Sequence, residues 1–156
     1  DVAVTRVQTC ALPIFFEPSL QNMEVARRRL APYKNIEYHQ MGLSDSSGIL
    51  RFNQSDGSAS SIDAAGTDTI NVDTLDATIK EPVSFIKMDL EGWETKALEG
   101  ARNHIKADRP KLAIAVYHDA ADIRSVYRYI TQIGHDYNVF LRHYSQGWSE
   151  TVMYFC

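Results

Sequence analysis

Phe85-Ile86-Lys87-Met88 is a short apolar run that stops on Asp89; Glu91 and Gly92 follow, and a helical pattern opens at Trp93. Strand, acidic turn, helix is the order that sets a carboxylate at the carboxyl edge of a parallel sheet, where open α/β sheets bind ligands. Asp89 and Glu91 are therefore the first candidates for chemistry. A purely local reading is also available: Asp89 ends the strand, and Glu91 favours the first turn of the helix through its dipole.

The rest of the chain repeats the alternation. Phe15-Phe16-Glu17-Pro18 reads as a strand end and a turn. Ser19 can cap a helix over about Leu20 to Ala31, with Leu20, Met23, Ala26 or Arg27, and Leu30 at helical spacing. Pro32 stops it. Ile36 to Leu43 predicts one strand, Ile49 to Asn53 and Thr69 to Leu75 two alternating ones, and Leu75 to Lys80 at most a brief helix. The Ser/Asp/Gly/Ala-rich stretch from Gln54 to Thr67 predicts a surface loop. A helix is expected from Trp93 to Lys106, with Trp93, Ala97, Leu98, Ala101 and Ile105 on one face. Leu112 to His118 is an unalternating apolar run, as a strand buried on both faces requires. A third helix, Asp122 to Ile133, is expected to turn Ile123, Val126, Tyr127, Ile130 and Ile133 inward and to end at Gly134. Tyr137 to Tyr144 and Glu150 to Phe155 are too closely spaced to be anything but an antiparallel pair. The fold class is α/β: a doubly wound, mostly parallel sheet with an antiparallel C-terminal hairpin.

Length and charge narrow the possibilities. With 156 residues the chain has room for one domain with a real core. A net charge of −4 and the lack of a Lys/Arg block disfavour a nucleic-acid partner. No apolar run nears the roughly 20 residues of a spanning helix, so no membrane partner is expected and the expected location is cytoplasmic. The cysteines, Cys10 and Cys156, lie near opposite ends and suggest neither a disulfide framework nor a zinc site. Val7-Gln8-Thr9-Cys10-Ala11-Leu12-Pro13-Ile14 matches a translated sequencing-adapter oligonucleotide, so residues 1–14 are expected to be a non-native leader. The alternating Val2-Ala3-Val4 allows a genuine strand there instead.

Other polar residues gather at strand exits. Glu17 stands where an acid can accept both hydroxyls of a ribose, although such an acid alone can equally be structural. The glycine-rich turn that accompanies it in dinucleotide sites lies about 20 residues upstream. The first glycine of this chain is Gly42, so that loop is expected to be absent. His118, at the exit of the buried run, can face the crevice of Asp89 and act as a base near neutral pH, or simply terminate the strand. Asp89, Glu91 and His118 are chemically adequate for a divalent metal, but no spacing motif supports one, and no metal ligands are assigned. Tyr117, Tyr144 and Trp148 can line an acceptor pocket or serve packing. His143 falls in the last hairpin, on the expected surface.

The order Phe16-Glu17-Pro18, Gly42-Leu43-Ser44-Asp45 with Gly48, Ile86-Lys87-Met88-Asp89-Leu90-Glu91-Gly92 with Glu94, Leu98-Glu99-Gly100-Ala101, Arg109-Pro110-Lys111 resembles the FkbM family of methyltransferases. The resemblance spans Phe15 to Phe155. It implies a class I, S-adenosylmethionine-dependent enzyme with a Rossmann-like sheet that methylates a hydroxyl of a small molecule or saccharide. It implies that Glu17 and Pro18 meet the cofactor ribose and that Gly42, Leu43 and Ser44 lie beside the adenine. Asp89 and Glu91 would lie near the transferable methyl and the acceptor, with Asp89 also touching cofactor. The catalytic set is then Asp89, Glu91 and His118, with Asp89 the first choice of base and His118 the second. The chain departs from the family where the first strand, its glycine loop and the first helix would stand, so residues 15–156 are expected to form a partial methyltransferase domain. The rival readings are an NAD-dependent oxidoreductase, whose ribose-binding acid would look like Glu17, and a non-catalytic remnant domain. The acceptor and the oligomeric state are not written in the sequence.

Overall fold

Parallel pairing of two strands, one buried along nearly all its length and the other at alternate residues, positions the chemistry of this chain. The computed structural model describes residues 12–53, 61–62, 65–134, 136–147 and 149–156. Val2-Ala3-Val4, Cys10 and all but the end of the expected leader, most of the loop expected over Gln54 to Thr67, and Trp148 lie outside the described residues.

In chain order the elements are β1 (Ile14–Phe16), α1 (Leu20–Leu30), β2 (Glu37–His39), β3 (Gly42–Leu43), β4 (Gly48–Asn53), β5 (Ser61–Ile62), β6 (Asp68–Asp73), α2 (Leu75–Thr78), β7 (Phe85–Met88), α3 (Glu94–Gly100), α4 (Arg102–Ala107), β8 (Lys111–Ala115), α5 (Asp122–Ile133), β9 (Val139–His143) and β10 (Thr151–Phe155). Among the described residues the strands form three sheets, ordered β1-β2, β7-β8-β10-β9 and β3-β6-β4-β5. Pairing is parallel for β1–β2, β3–β6 and β7–β8, and antiparallel for β8–β10, β9–β10, β4–β5 and β4–β6. The closing antiparallel hairpin is as expected. The single, mostly parallel sheet is not: the fold is mixed α/β. Residues 44–47 between β3 and β4 are too few for a crossover helix, so β4 returns antiparallel beside β6.

The main core lies between the β7-β8-β10 sheet and helices α3, α4 and α5. Leu98, Ile105, Leu112, Ile114, Val126, Ile130 and Phe155 are wholly buried there. Leu112 to Val116 are all buried, which explains their lack of alternation. A second cluster of Phe52, Ile70 and Val72 serves the small sheet.

Three local expectations need correction. The run from Ile36 to Leu43 is split: the Met41 amide turns back to the His39 carbonyl (3.0 Å), and the chain passes from one sheet to another. The helix expected over 93–106 breaks at Ala101, where ψ is 9°. The Asp76 carboxylate accepts the Asn103 and His104 amides (2.9 and 3.1 Å), satisfying donors that the restart of α4 would otherwise leave open. Leu20, Ile123 and Tyr127 are exposed rather than inward. The buried face of α5 is Asp122, Val126, Ile130 and Ile133, and Ile123 and Tyr127 fall on its flank. Ser19 does cap α1, accepting the Asn22 amide at 3.3 Å. No helix among the described residues is long and apolar enough to cross a membrane.

His104 ties α4 to what precedes it. Its Nδ1 meets Asp108 Oδ2 at 2.6 Å and its Nε2 meets the Ile79 carbonyl at 3.1 Å. Burial opposes charge on the ring, but Asp108, the Ile79 carbonyl and Asp76 outweigh it and raise the pKa. The His104 contact, together with the Val83 amide, lowers that of Asp108. The histidine therefore stabilises the fold fully below its unfolded pKa of about 6.5, and this is lost as pH rises through the folded value; the aspartate contributes above about 3.9 and loses this as pH falls through its own. The pair is at full strength between about pH 4 and 6.5. His104→Ala is expected to lower the melting temperature by about 2–4 °C at pH 5.5 and by less at pH 8.5. Equal differences at the two pH values would show that the ion pair contributes nothing.

Candidate functional site

The register Met88↔Ile114 brings β7 and β8 out at the same edge, so Asp89 and Glu91 after one strand meet Tyr117 and His118 after the other. After Met88 the chain reverses through two left-handed residues, Glu91 (φ 53°) and Gly92 (φ 91°). Gly92 takes this conformation freely, whereas for Glu91 it costs about 1–3 kcal/mol, the kind of strain that gathers at functional sites. The turn is closed by the Trp93 amide donating to the Leu90 carbonyl (3.1 Å) and by the Leu90 amide donating to Glu94 Oε1 (2.7 Å). The Trp93 indole donates to Ser44 Oγ at 3.2 Å, joining the start of α3 to the exit of β3.

His118 sits within a ring of carboxylates. Its Nδ1 lies 3.0 Å from Glu94 Oε1, and its Nε2 lies 3.5 Å from both Asp89 Oδ1 and Glu91 Oε2. The His118 side chain is only 9% exposed and that of Glu94 1%, while Asp89 and Glu91 are each 31% exposed at the mouth. Neither ring nitrogen of His118 nor Glu94 Oε2 has a hydrogen-bond partner among the described residues; the 3.0 Å contact is an ion-pair approach without hydrogen-bond alignment. Burial works against charge on His118, but Glu94 first, then Glu91 and Asp89, raise its pKa overall. Burial raises the Glu91 pKa, His118 offsets part of this, and Asp89 and Glu94 add to it. The Tyr117 hydroxyl donates to Asp89 Oδ1 (3.1 Å), and burial with that carboxylate raises the phenol's pKa well beyond its usual range. Asp119 and Asp122 shape the following turn: the Asp119 amide donates to Asp122 Oδ2 (2.9 Å) and the Ala121 amide to Asp119 Oδ1 (2.8 Å).

The structure thus gathers Asp89, Glu91 and His118 and adds Glu94. In the sequence Glu94 reads as an ordinary first-turn acid; the signals that mark it are its place in the motif Ile86 to Gly92 with Glu94, which carries the family resemblance, and its spacing of three residues from Glu91. Of the residues suggested for cofactor, Asp89 belongs to this cluster, whereas Glu17, Pro18, Gly42, Leu43 and Ser44 lie in or just beyond strands of the other two sheets. Glu17, at the exit of β1, is partly buried; its Oε1 accepts the Ser19 amide (2.8 Å), and burial raises its pKa against that bond. Pro18 follows it into the cap of α1. Gly42 and Leu43 are buried in β3, and a Cβ on Gly42 would stand 3.1 Å from Val72 Cγ1, so this glycine serves packing. Ser44 Oγ is engaged by Trp93 and donates to Asp45 (3.2 Å). His143 lies on the exposed hairpin, its Nδ1 2.9 Å from Thr151 Oγ1, and Tyr144 meets the Tyr154 hydroxyl at 2.8 Å. Surface depressions occur beside His104 and on the hairpin around Tyr144, lined by residues other than those of the cluster.

The Methyltransferase FkbM domain model matches residues 2–145. The crystal structure of Methyltransferase FkbM from Methylobacillus flagellatus KT superposes with a TM-score of 0.75 at 32% identity, covering 92% of this chain and 36% of that one. This chain therefore spans little more than a third of the solved relative's length. No match was found among curated proteins.

Proposed function

Because the chain belongs to the FkbM methyltransferase family, we propose that it is the S-adenosylmethionine-dependent part of an O-methyltransferase acting on a hydroxyl of a small molecule or saccharide. The observation that carries the reading is the cluster of Asp89, Glu91, Glu94 and His118 at the exits of β7 and β8, in a chain of this family. A Rossmann-like arrangement of ligand at the carboxyl edge of the parallel strands is part of the proposal.

Glu17 fits the cofactor. A partly buried carboxylate at a strand exit, held through one oxygen by the Ser19 amide, has the acceptor chemistry for ribose hydroxyls. Asp89 would stand on the methyl side. When bound, S-adenosylmethionine supplies an electrophilic methyl on a sulfonium. Asp89, at the mouth and oriented by the Tyr117 hydroxyl, takes the proton of the acceptor hydroxyl. His118, biased towards its charged form by the carboxylates around it, is the poorer base and acts by holding Asp89 and Glu91 in place. Glu94, behind the ring, fixes both the imidazole and the acidic turn. The remaining work is alignment and exclusion of water.

A thermal-shift titration with S-adenosylhomocysteine, with NAD as control, tests the reading. At about 100 times Kd a ligand of the folded form adds about 2.7 kcal/mol, which for a chain of this size raises the midpoint by about 5–10 °C. A rise with S-adenosylhomocysteine alone is expected. A rise with NAD instead would replace the proposal with the oxidoreductase reading.

A further inference from the structure

We infer that Asp89, Glu94 and His118, with Glu91 beside them, form a site for a divalent first-row cation such as Mn²⁺ or Zn²⁺. One donor atom from each of Asp89, Glu94 and His118 lies within 4.8 Å of the others. His118 Nε2 is 3.5 Å from Asp89 Oδ1 and from Glu91 Oε2, which is long for a hydrogen bond. It is close to the edge of about 3.4 Å that separates ligands placed tetrahedrally at about 2.1 Å from a metal.

The unpartnered atoms point the same way. Glu94 is 1% exposed, yet its Oε2 has no hydrogen-bond partner among the described residues. His118 Nε2 is equally unpartnered and is directed at the two carboxylates of the mouth. Buried polar atoms left in this state are costly, and a cation satisfies them together. With the imidazole neutral, as a metal ligand must be, the carboxylates of Asp89, Glu91 and Glu94 around it leave an excess of negative charge, and a dication that takes the place of the ring's second proton balances it. One imidazole with carboxylates suits Mn²⁺ or Zn²⁺ better than Ca²⁺, which takes oxygen alone.

The site stands on this geometry; its use rests on the proposed methyl transfer. There the cation draws in the acceptor hydroxyl and makes its proton easier to lose. Asp89 has two oxygens, so it can hold the cation through one and take that proton on the other.

The test is Mn²⁺ binding to the full chain, followed by the loss of the free-ion electron paramagnetic resonance signal, with Zn²⁺ as competitor. One Mn²⁺ per chain is expected, displaced by Zn²⁺ and weakened at least about tenfold by His118→Gln and by Asp89→Asn. His104→Gln, at the other buried histidine–aspartate pair, should leave it unchanged. Asp89 is at the mouth, so its variant does not depend on repacking the core. No binding up to millimolar Mn²⁺, or binding indifferent to both site variants, overturns the inference. Site-specific Mn²⁺ binding without any S-adenosylhomocysteine shift would leave the cation site standing and remove only the methyltransferase role.

Discussion

Asp89→Asn is expected to lower turnover in a methyl-transfer assay by about 10²–10⁴-fold while the thermal shift with S-adenosylhomocysteine is largely kept. Asparagine has nearly the shape of aspartate and keeps an oxygen for the Tyr117 hydroxyl, which lies 3.1 Å from Oδ1 in the native protein. What it loses is the charge and the capacity to take a proton. The loss should therefore fall on kcat rather than on KM. Added Mn²⁺ separates two contributions: a deficit caused by weakened cation binding is partly restored, and one caused by the missing base is not. Full turnover in the variant would remove Asp89 from the chemistry.

Gly100→Ala is expected to cost about 3 kcal/mol or more, lowering the melting temperature by about 6–12 °C. A Cβ on Gly100 would lie 1.9 Å from the Ser44 carbonyl oxygen, 3.0 Å from its carbon and 3.2 Å from Thr74 Cα. All three are backbone atoms, so no side chain can swing aside, and the end of α3 must move away from β3. Gly48→Ala is the control: a Cβ there meets nothing within 4 Å, and the change should stay within about 0.5 kcal/mol. Thermal unfolding of the two variants decides the matter, and equal midpoints would show that the contact yields freely. Because Ser44 also holds the Trp93 indole, the displacement reaches the helix that carries Glu94.

The parts of the site that can be read from sequence are those written at strand exits. Asp89 and His118 each close a short apolar run, and parallel pairing of those runs is enough to bring them together. Glu94 is hidden because an acid at the start of a helix already has an electrostatic reason to be there. Its burial depends on His118 reaching it from another strand, a tertiary fact. The same limit explains the helices. Ile123 and Tyr127 fit the apolar spacing, but where α5 meets the sheet decides that Asp122, not Ile123, turns inward. The switch between β2 and β3 carries no glycine or proline at Gln40-Met41, and the break at Ala101 depends on a carboxylate supplied by Asp76.

Trp93 makes the site visible. Its indole, bonded to Ser44 and two residues from Glu91, is a natural fluorophore whose emission responds to nearby charge and hydration. The chain holds one other tryptophan, Trp148, in the segment joining β9 to β10. With Trp148→Phe the protein carries a single tryptophan, beside the acidic turn. Occupancy by cation, cofactor or acceptor can then be followed as a change in colour and brightness, with no label and no chemical turnover.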